Sequence, residues 1–499
     1  MAYDVIIIGA GHNGLVAANY LAKAGKKVLV LERRNIPGGQ LVSESLGDGF
    51  NNVDTLHASA QLRPDIVADL GLRIEAPRAG SAYTCLLDGG KRLTLDADPA
   101  RASAAIREFS ARDAERWPEF VTFMDRAAAF LDAAYRTPMP RLPHFALREG
   151  LPLAGLLWKL RRLGGRDMFR VVRAMSMSAE EFTGDWFESE ALRAAVSALA
   201  IHGVTLGPMS AGTGYTLMHN WLNRGGLAHR PVAGGVGTIT AALVEALIAR
   251  GGEVRTSAEV RNVVVEHQRA RGVCLASGEE ITADCVISAA DPRRTFLQLV
   301  GAAELPPEFV WQAQSIKLRG CVAKVHIATD GRHGLPDGTL AVAPSIRYLE
   351  RAYDAAKYGE ISAQPYLEVT MSGNIVSIHF QFAPYALRQA DWEAARAVVA
   401  QRAIDTLDAQ YPGFKASVQR TQVITARDLE SNYGLSEGDL NHGQLILDQI
   451  FFMRPLPGWS KHATPIDGLY LCGSGVHGGG GISGASGRNA ARSIVGDSR

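Results

Sequence analysis

The alternation of apolar and polar positions sets out the first elements. Residues 3–8, Tyr-Asp-Val-Ile-Ile-Ile, are a short β-branched run, and a glycine turn and an alanine-rich stretch of helical spacing follow to about Ala24. Lys27 to Leu31 is again apolar and short, so the first 32 residues read as strand, helix, strand, the unit of a parallel sheet. Residues 98–135 carry Ala, Arg, Glu and Phe at helical spacing, and Pro138, Pro140 and Pro143 end that pattern. A second alanine-rich helix is predicted from about Thr238 to Arg250. Strands are predicted at Val260–Glu266, Arg271–Leu275, Ile281–Ser288 and Gly468–Leu471, with a last helix from about Ser483.

Length and charge narrow the class. The chain has 499 residues, and a single core rarely grows past about 250–300, so two joined domains are expected. The 52 basic and 51 acidic residues nearly cancel, which argues against a nucleic-acid partner. Cys85, Cys274, Cys285, Cys321 and Cys472 are scattered without a C-x-x-C pair, which removes dithiol chemistry and the common zinc spacings and fits a reducing compartment. No run of about 18 apolar residues predicts a spanning helix. The first strand opens at Tyr3, leaving no room for a leader, and the expected location is cytoplasmic, in a bacterium.

The first turn carries chemistry. Gly9-Ala10-Gly11-His12-Asn13-Gly14 lies between a strand and a helix. Gly9 allows the tight turn, Gly11 lets a pyrophosphate approach the backbone, and Gly14 lets helix and strand pack closely. The helix N-terminus offers N–H groups and partial positive charge to phosphates. Glu32 ends the next strand 18 residues after Gly14, close to the spacing expected of an acid that grips ribose hydroxyls. Arg33 and Arg34 could mark a 2′-phosphate site, but the Glu32 carboxylate would repel that group, and the plainer reading is a solvated loop with Arg33 near a cofactor phosphate. A second glycine turn, Pro37-Gly38-Gly39 followed by Gln40, lets the backbone approach a longer cofactor and favours FAD over a nicotinamide. Near the end, Gly468 to Gly475 reads as a strand delivering a turn, and Gly481-Ile482-Ser483 leads into a helix N-terminus suited to the flavin pyrimidine or ribityl chain, with Gly473 in the turn itself.

Together these pieces resemble the phytoene-desaturase-like branch of flavin-dependent oxidoreductases in the amine oxidase superfamily. They are most similar to the group called pyridine nucleotide-disulphide oxidoreductase domain-containing protein 2. The resemblance spans essentially the full length. It rests on Asp4 through Gly14, on Glu32 with Pro37-Gly38-Gly39, on Ala233-Gly-Gly-Val-Gly237, and on Ile287-Ser-Ala-Ala-Asp-Pro292. It rests further on Leu471 to Gly475 and on His477-Gly-Gly-Gly-Gly481 through Ala491. It implies noncovalent FAD in an α/β, Rossmann-type domain of the two-dinucleotide-binding-motif type. Residues 1–75, 226–295 and 460–499 would build that discontinuous domain, and 76–225 with 296–459 an α+β substrate domain inserted in two pieces. The resemblance also implies that Val260 packs on adenine, that Asp291-Pro292 lies near the ADP moiety, and that Gly235 to Thr238 face the junction of flavin and substrate. The substrate is not transferred with it.

Residues 141–173 hold eight Lys/Arg against Glu149 and Asp167, interleaved with Leu151, Leu153, Leu156, Leu157, Trp158, Leu160 and Leu163. The favoured reading is an ordinary helix packing its leucines on the body; contact with an anionic membrane surface or with another subunit are the alternatives. For catalysis the candidates are His477, beside the C-terminal turn by sequence, and Tyr215, with His202 and His219 behind them. His12 is read as a neighbour of FAD, and Asp54 as a turn cap. The leading functional expectation is hydride removal from a hydrophobic small molecule in a mostly apolar tunnel, with oxygen or a quinone as electron acceptor. The alternatives are an amine oxidase, which would want an aromatic cage that 7 % aromatics do not obviously supply, a redox-neutral flavin isomerase, and a non-catalytic FAD-bound regulatory protein.

Overall fold

A computed structural model describes residues 3–75, 82–140 and 150–497. The first strand, β1 (Tyr3–Ile8), leads through the glycine turn to α1 (His12–Lys23) and on to β2 (Val28–Leu31). β1 pairs parallel with β2, Val5 opposite Val28, and parallel on its other side with the strand Glu280–Ser288, Val5 opposite Cys285. Glu253–Arg255 extends the sheet beyond β2, and Leu469–Leu471 adds parallel to the far end of 280–288. Residues 269–275 and 260–266 continue it antiparallel. This α/β sheet therefore draws strands from the first 31 residues, from 253–288 and from 469–471. Its fully buried β2 and the inner half of β1 are apolar on both faces, as parallel strands covered by helices must be. One cover is α1, packed by the helices Gly237–Ile248 and Ala485–Asp497.

A second, mostly antiparallel sheet has the order 418–424, 322–329, 375–381, 366–372, 339–342, 83–86, 92–95. The hydrophobic pattern had not predicted it. Ala323, Val325, Ile327, Leu367, Val369, Val376, Ile378 and Phe380 face a core closed by the helix Trp392–Gln410. The alternate positions of these strands include Lys324, His326, Glu368, His379 and Gln381, all buried.

Helices between residues 99 and 224 surround a third core rich in aromatic rings, with Phe120 touching Phe182, Trp186, Phe187 and Trp221. The helical pattern of 98–135 divides into Pro99–Ile106 and Ala111–Arg136, because Ser110 caps the second helix by accepting from the Asp113 amide. Of the basic segment, 141–149 lies outside the described residues. The rest forms the helices Gly150–Arg162 and Gly165–Ala174. Leu160 and Leu163 sit half-buried against the helical core, and Leu153 and Leu156 are half-buried too, so the expected packing of its leucines on the body holds in part. Leu151, Leu157, Trp158, Phe169 and Val172 are all more than half exposed.

Candidate active site

A cleft of about 910 Å³, open at one side, runs along the carboxyl ends of β1 and β2, the usual place for a ligand in such a sheet. Its walls include Gly9, Gly11, His12, Asn13 and Gly14 from the first turn, Glu32 and Arg33 after β2, and Gly39 and Gln40 from the second turn. Ala258 to Val260, Ala289, Ala290, His442, Gly473 and Ser474 complete it. The two glycine turns are bound together, since the Gly38 amide donates to the Ala10 carbonyl at 2.9 Å. A Cβ on Gly14 would lie 2.2 Å from the Gly9 carbonyl oxygen, so no side chain fits there, whereas a Cβ on Gly11 would meet nothing within 4 Å. Gly11 thus presents bare backbone to open space at the start of α1, where phosphate is favoured.

Glu32 is buried, and its carboxylate accepts the Ala10 amide at 2.9 Å and the Arg34 amide at 3.0 Å. Those two bonds fix the carboxylate at the cleft wall with acceptor capacity left over for ribose hydroxyls. The arginines after it are not a solvated loop. Arg33 donates to the Ser431 carbonyl at 2.6 Å, and Arg34 pairs with Glu44 and lies 4.6 Å from the centre of the Tyr433 ring. Two buried nitrogens on the wall, Nε2 of His12 and Nδ1 of His442, have no hydrogen-bond partner. A backbone cradle, a fixed carboxylate and two unsatisfied imidazoles are a donor set that fits the adenosine diphosphate half of FAD.

Gln40 is the hinge to a second cavity. Its amide nitrogen donates to the Leu440 carbonyl at 2.9 Å, and its carbonyl oxygen accepts from His57 Nε2 at 2.8 Å. His57 lines a chamber of about 370 Å³ together with His202, His229, Lys324, His326, Glu368, Thr370, Ser377 and His379. The register of the second sheet builds this wall: Lys324 is opposite His379, which is opposite Glu368, and one pair along, His326 is opposite Ser377, which is opposite Thr370. These are the polar alternates of the strands whose other face is the core under helix 392–410. The chamber continues into a wider mouth of about 1600 Å³ bounded by Asn51 to Asp54, Val232 to Gly235, Gly338, and Thr370 to Gly373. Asp54 caps a turn here. Its carboxylate accepts from Ser43 at 2.6 Å and from the Val236 amide at 2.9 Å, which fixes the Ala233–Gly237 loop.

Charges in the chamber are paired with care. Arg224 grips Glu368 with two bonds, 2.8 and 2.6 Å, and His229 Nε2 donates to the same carboxylate at 2.5 Å while Ser59 donates to its Nδ1 at 2.8 Å. Burial by itself would raise the Glu368 pKa; Arg224, His202 and His229 outweigh it and hold the carboxyl well below its ordinary range. Lys324 Nζ donates to His379 Nδ1 at 3.1 Å, His379 Nε2 donates to Gln381 at 2.8 Å, and His202 stacks on His379 at 3.9 Å. Burial lowers the Lys324 pKa to about 7, with Arg224 adding to that and Glu368 opposing it. His57 is pushed down to about 3 and His326 to about 4, chiefly by burial, so both rings are neutral at pH 7.

Of the C-terminal candidates, Gly473 lines the cleft and the others fall elsewhere. His477 is buried, donates from Nε2 to the Thr137 carbonyl at 2.9 Å, and lines neither the cleft nor the chamber. Its pKa is lowered to about 4, mainly by burial. Tyr215 shares a hydrogen bond of 2.7 Å with Tyr135, which in turn meets His219 Nδ1 at 2.6 Å, a network inside the helical core. Gly481, Ile482 and Ser483 do not line the cleft, and the Ser483 carbonyl accepts from the Arg63 amide. Of the four polar candidates taken from the sequence, His202 alone reaches the chamber. Lys324, Glu368, Arg224, His57, His229, His326, His379 and His442 had not been singled out. The one available signal was the alternation of polar with apolar residues in 322–329, 366–372 and 375–381.

The profile of the family described as flavin containing amine oxidoreductase matches residues 14–495. The chain is 33 % identical to pyridine nucleotide-disulfide oxidoreductase domain-containing protein 2 of Rattus norvegicus, over 99 % of this chain and 94 % of that protein. It is 24 % identical to the lycopene-forming phytoene desaturase of Pantoea ananas, over 96 % of each. Among solved structures it is similar to an oxidoreductase from Methanosarcina mazei, with a TM-score of 0.62 at 17 % identity and 99 % of both chains covered. With the cleft's donor set, these likenesses establish that the chain belongs to the flavin containing amine oxidoreductase family and is an FAD-dependent oxidoreductase.

Proposed function

We propose that the chain dehydrogenates a hydrophobic small molecule that carries a hydrogen-bond-accepting group, in the manner of a desaturase or dehydrogenase, with Lys324 as proton acceptor. The observation that carries this reading is the join at Gln40 and His57, which sets the cofactor cleft against a chamber holding a buried lysine whose pKa is about 7. Bound FAD would supply the acceptor for a hydride leaving the substrate carbon. The half-deprotonated Lys324 amine can receive the accompanying proton, since a general base works best when its pKa lies near the working pH. The Arg224–Glu368 pair keeps the chamber from carrying an uncompensated anion. Apolar substrate surface is received in the mouth by Val53, Val232, Met371 and Ile375. The chamber is polar where an apolar tunnel had been expected; most of its imidazoles are held by protein partners, but His202 Nδ1 has no hydrogen-bond partner and Lys324 bonds only His379, so an acceptor group on the substrate is favoured over a bare hydrocarbon.

An amine oxidase is the weaker reading. No Phe, Tyr or Trp among the described residues lines the chamber or the mouth, so a cage for an ammonium is missing there. Electrons would then pass to oxygen or a quinone. The exposed Leu157, Trp158 and Phe169, set among Lys159, Arg161, Arg162 and Arg166, support peripheral contact with an anionic membrane from which such a substrate could enter. The test is anaerobic bleaching of the flavin by matched hydrocarbons, alcohols, ketones and amines. Reduction by oxygenated alkenes or cyclic ketones, slowed about 10²–10⁴-fold in Lys324→Met with FAD retained and rising in wild type as pH passes about 7, is expected. Reduction by amines alone would overturn the reading.

A further inference from the structure

We infer that His12 and His442 together clasp the diphosphate of FAD and take up a proton as it binds, so that cofactor loading is linked to pH. The two residues come from separate parts of the chain, the first turn of α1 and the loop 441–445, and both line the same cleft. Each buries an imidazole nitrogen with no partner, Nε2 of His12 and Nδ1 of His442, and buried polar groups left single in this way are ordinarily satisfied by a ligand or water. His12 is 5 % exposed and adjoins Gly11, whose bare backbone faces the open side of the cradle.

The position of His442 is enforced. Its backbone is left-handed, φ 56°, a conformation that a residue with a Cβ keeps only when its surroundings impose it. The surroundings here are Arg454, whose buried guanidinium donates to the carbonyls of Asn441 at 2.6 Å, Gly443 at 3.2 Å, Gln444 at 3.3 Å, Gln449 at 3.1 Å and Ser474 at 2.8 Å. That guanidinium ties the His442 loop to the Gly473–Ser474 wall of the same cleft.

The electrical setting gives the sign. Burial lowers the His12 pKa to about 4, with His442 adding to the effect and the Gly481 carbonyl opposing it. Burial lowers His442 as well; Asp291 and Asp439 oppose this and Arg454 adds to it. Glu32, Arg33, Glu259 and Arg294 also face the cleft, and His57 stands beyond Gln40. Both rings are therefore neutral near pH 7 without cofactor. A diphosphate beside them raises their proton affinity, so FAD binds more tightly as pH falls toward the free-state values. The diphosphate linking the two halves of FAD stays ionised throughout this range, so any slope belongs to the protein.

The experiment titrates the deflavinated full-length chain with FAD, with ADP-ribose as a doubly esterified diphosphate lacking flavin, and with riboflavin as a flavin lacking phosphate. Calorimetry in buffers of different ionisation enthalpy counts the protons. FAD and ADP-ribose should tighten about tenfold between about pH 8.5 and about pH 6.5 with net proton uptake, and riboflavin should show no slope. The double variant His12→Gln with His442→Gln keeps hydrogen-bond donors and loses both titrations, so its slope and proton count should vanish while its thermal midpoint stays near wild type. If that pair does not fold, each single variant should remove part of the proton count. A flat FAD affinity in wild type, or an unchanged slope in the variants, would overturn the inference.

Discussion

The cofactor cleft and the histidine chamber meet at Gln40, yet they are made differently. The cleft is shaped largely by backbone: two glycine turns, the start of α1 and one carboxylate, all within the first 40 residues, closed by loops from later in the chain. The chamber is shaped by side chains that three strands of the second sheet, two loops and the end of one helix bring together from residues 57, 202, 229, 324–326, 368 and 377–379. A site made of backbone depends on which residues lack a side chain. A site made of side chains depends on every charge having its partner.

That contrast can be tested by breaking each half. The largest effect is expected from Arg224→Met, which leaves the buried Glu368 carboxylate without its guanidinium. A cost of about 3–5 kcal/mol is expected, seen as a lowered thermal midpoint with the FAD site still able to bind once folded. Glu32→Ala should act the other way, with near-normal folding and FAD affinity weakened about tenfold to a hundredfold, measured as flavin content after gel filtration and by titration. Normal flavin occupancy would remove the ribose role. Gly11→Val should weaken FAD by a smaller factor with an unchanged melting curve, because the added side chain meets only the space that the cofactor needs. The smallest effect should come from His477→Ala. Its ring is bonded to Thr137 away from both cavities, so flavin reduction should stay within about twofold of wild type, and a large loss would return His477 to the reaction.

The same contrast explains what could be read from the sequence. β1, α1, β2 and the strands of 260–288 and 469–471 were legible because short β-branched runs broken by glycine have few other meanings, and Glu32 was legible from its distance to Gly14. The second sheet was not. Val-Ala-Lys-Val-His-Ile-Ala-Thr at 322–329 alternates like a strand with one face in water, whereas its polar face is inside, looking across a cavity at His202 and His229. Periodicity reports which residues share a face; it does not report whether that face meets solvent or an enclosed chamber. His477 misled for a related reason. Nearness in sequence to the C-terminal turn does not fix direction, and its ring points back to the helical core.

The pairing of Leu469–Leu471 onto Glu280–Ser288, and the bond from the Gly487 amide to Asn13 in the phosphate turn, have a consequence for synthesis. A ribosome makes the glycine turns first, but the strand and the helix that brace them emerge only after some 450 further residues. Until then the nascent chain has a nucleotide loop without its buttress. Flavin capture should therefore wait until residues 469–487 have emerged, and premature termination anywhere upstream of residue 469 should leave a product unable to hold its cofactor, detectable as colourless protein prone to degradation.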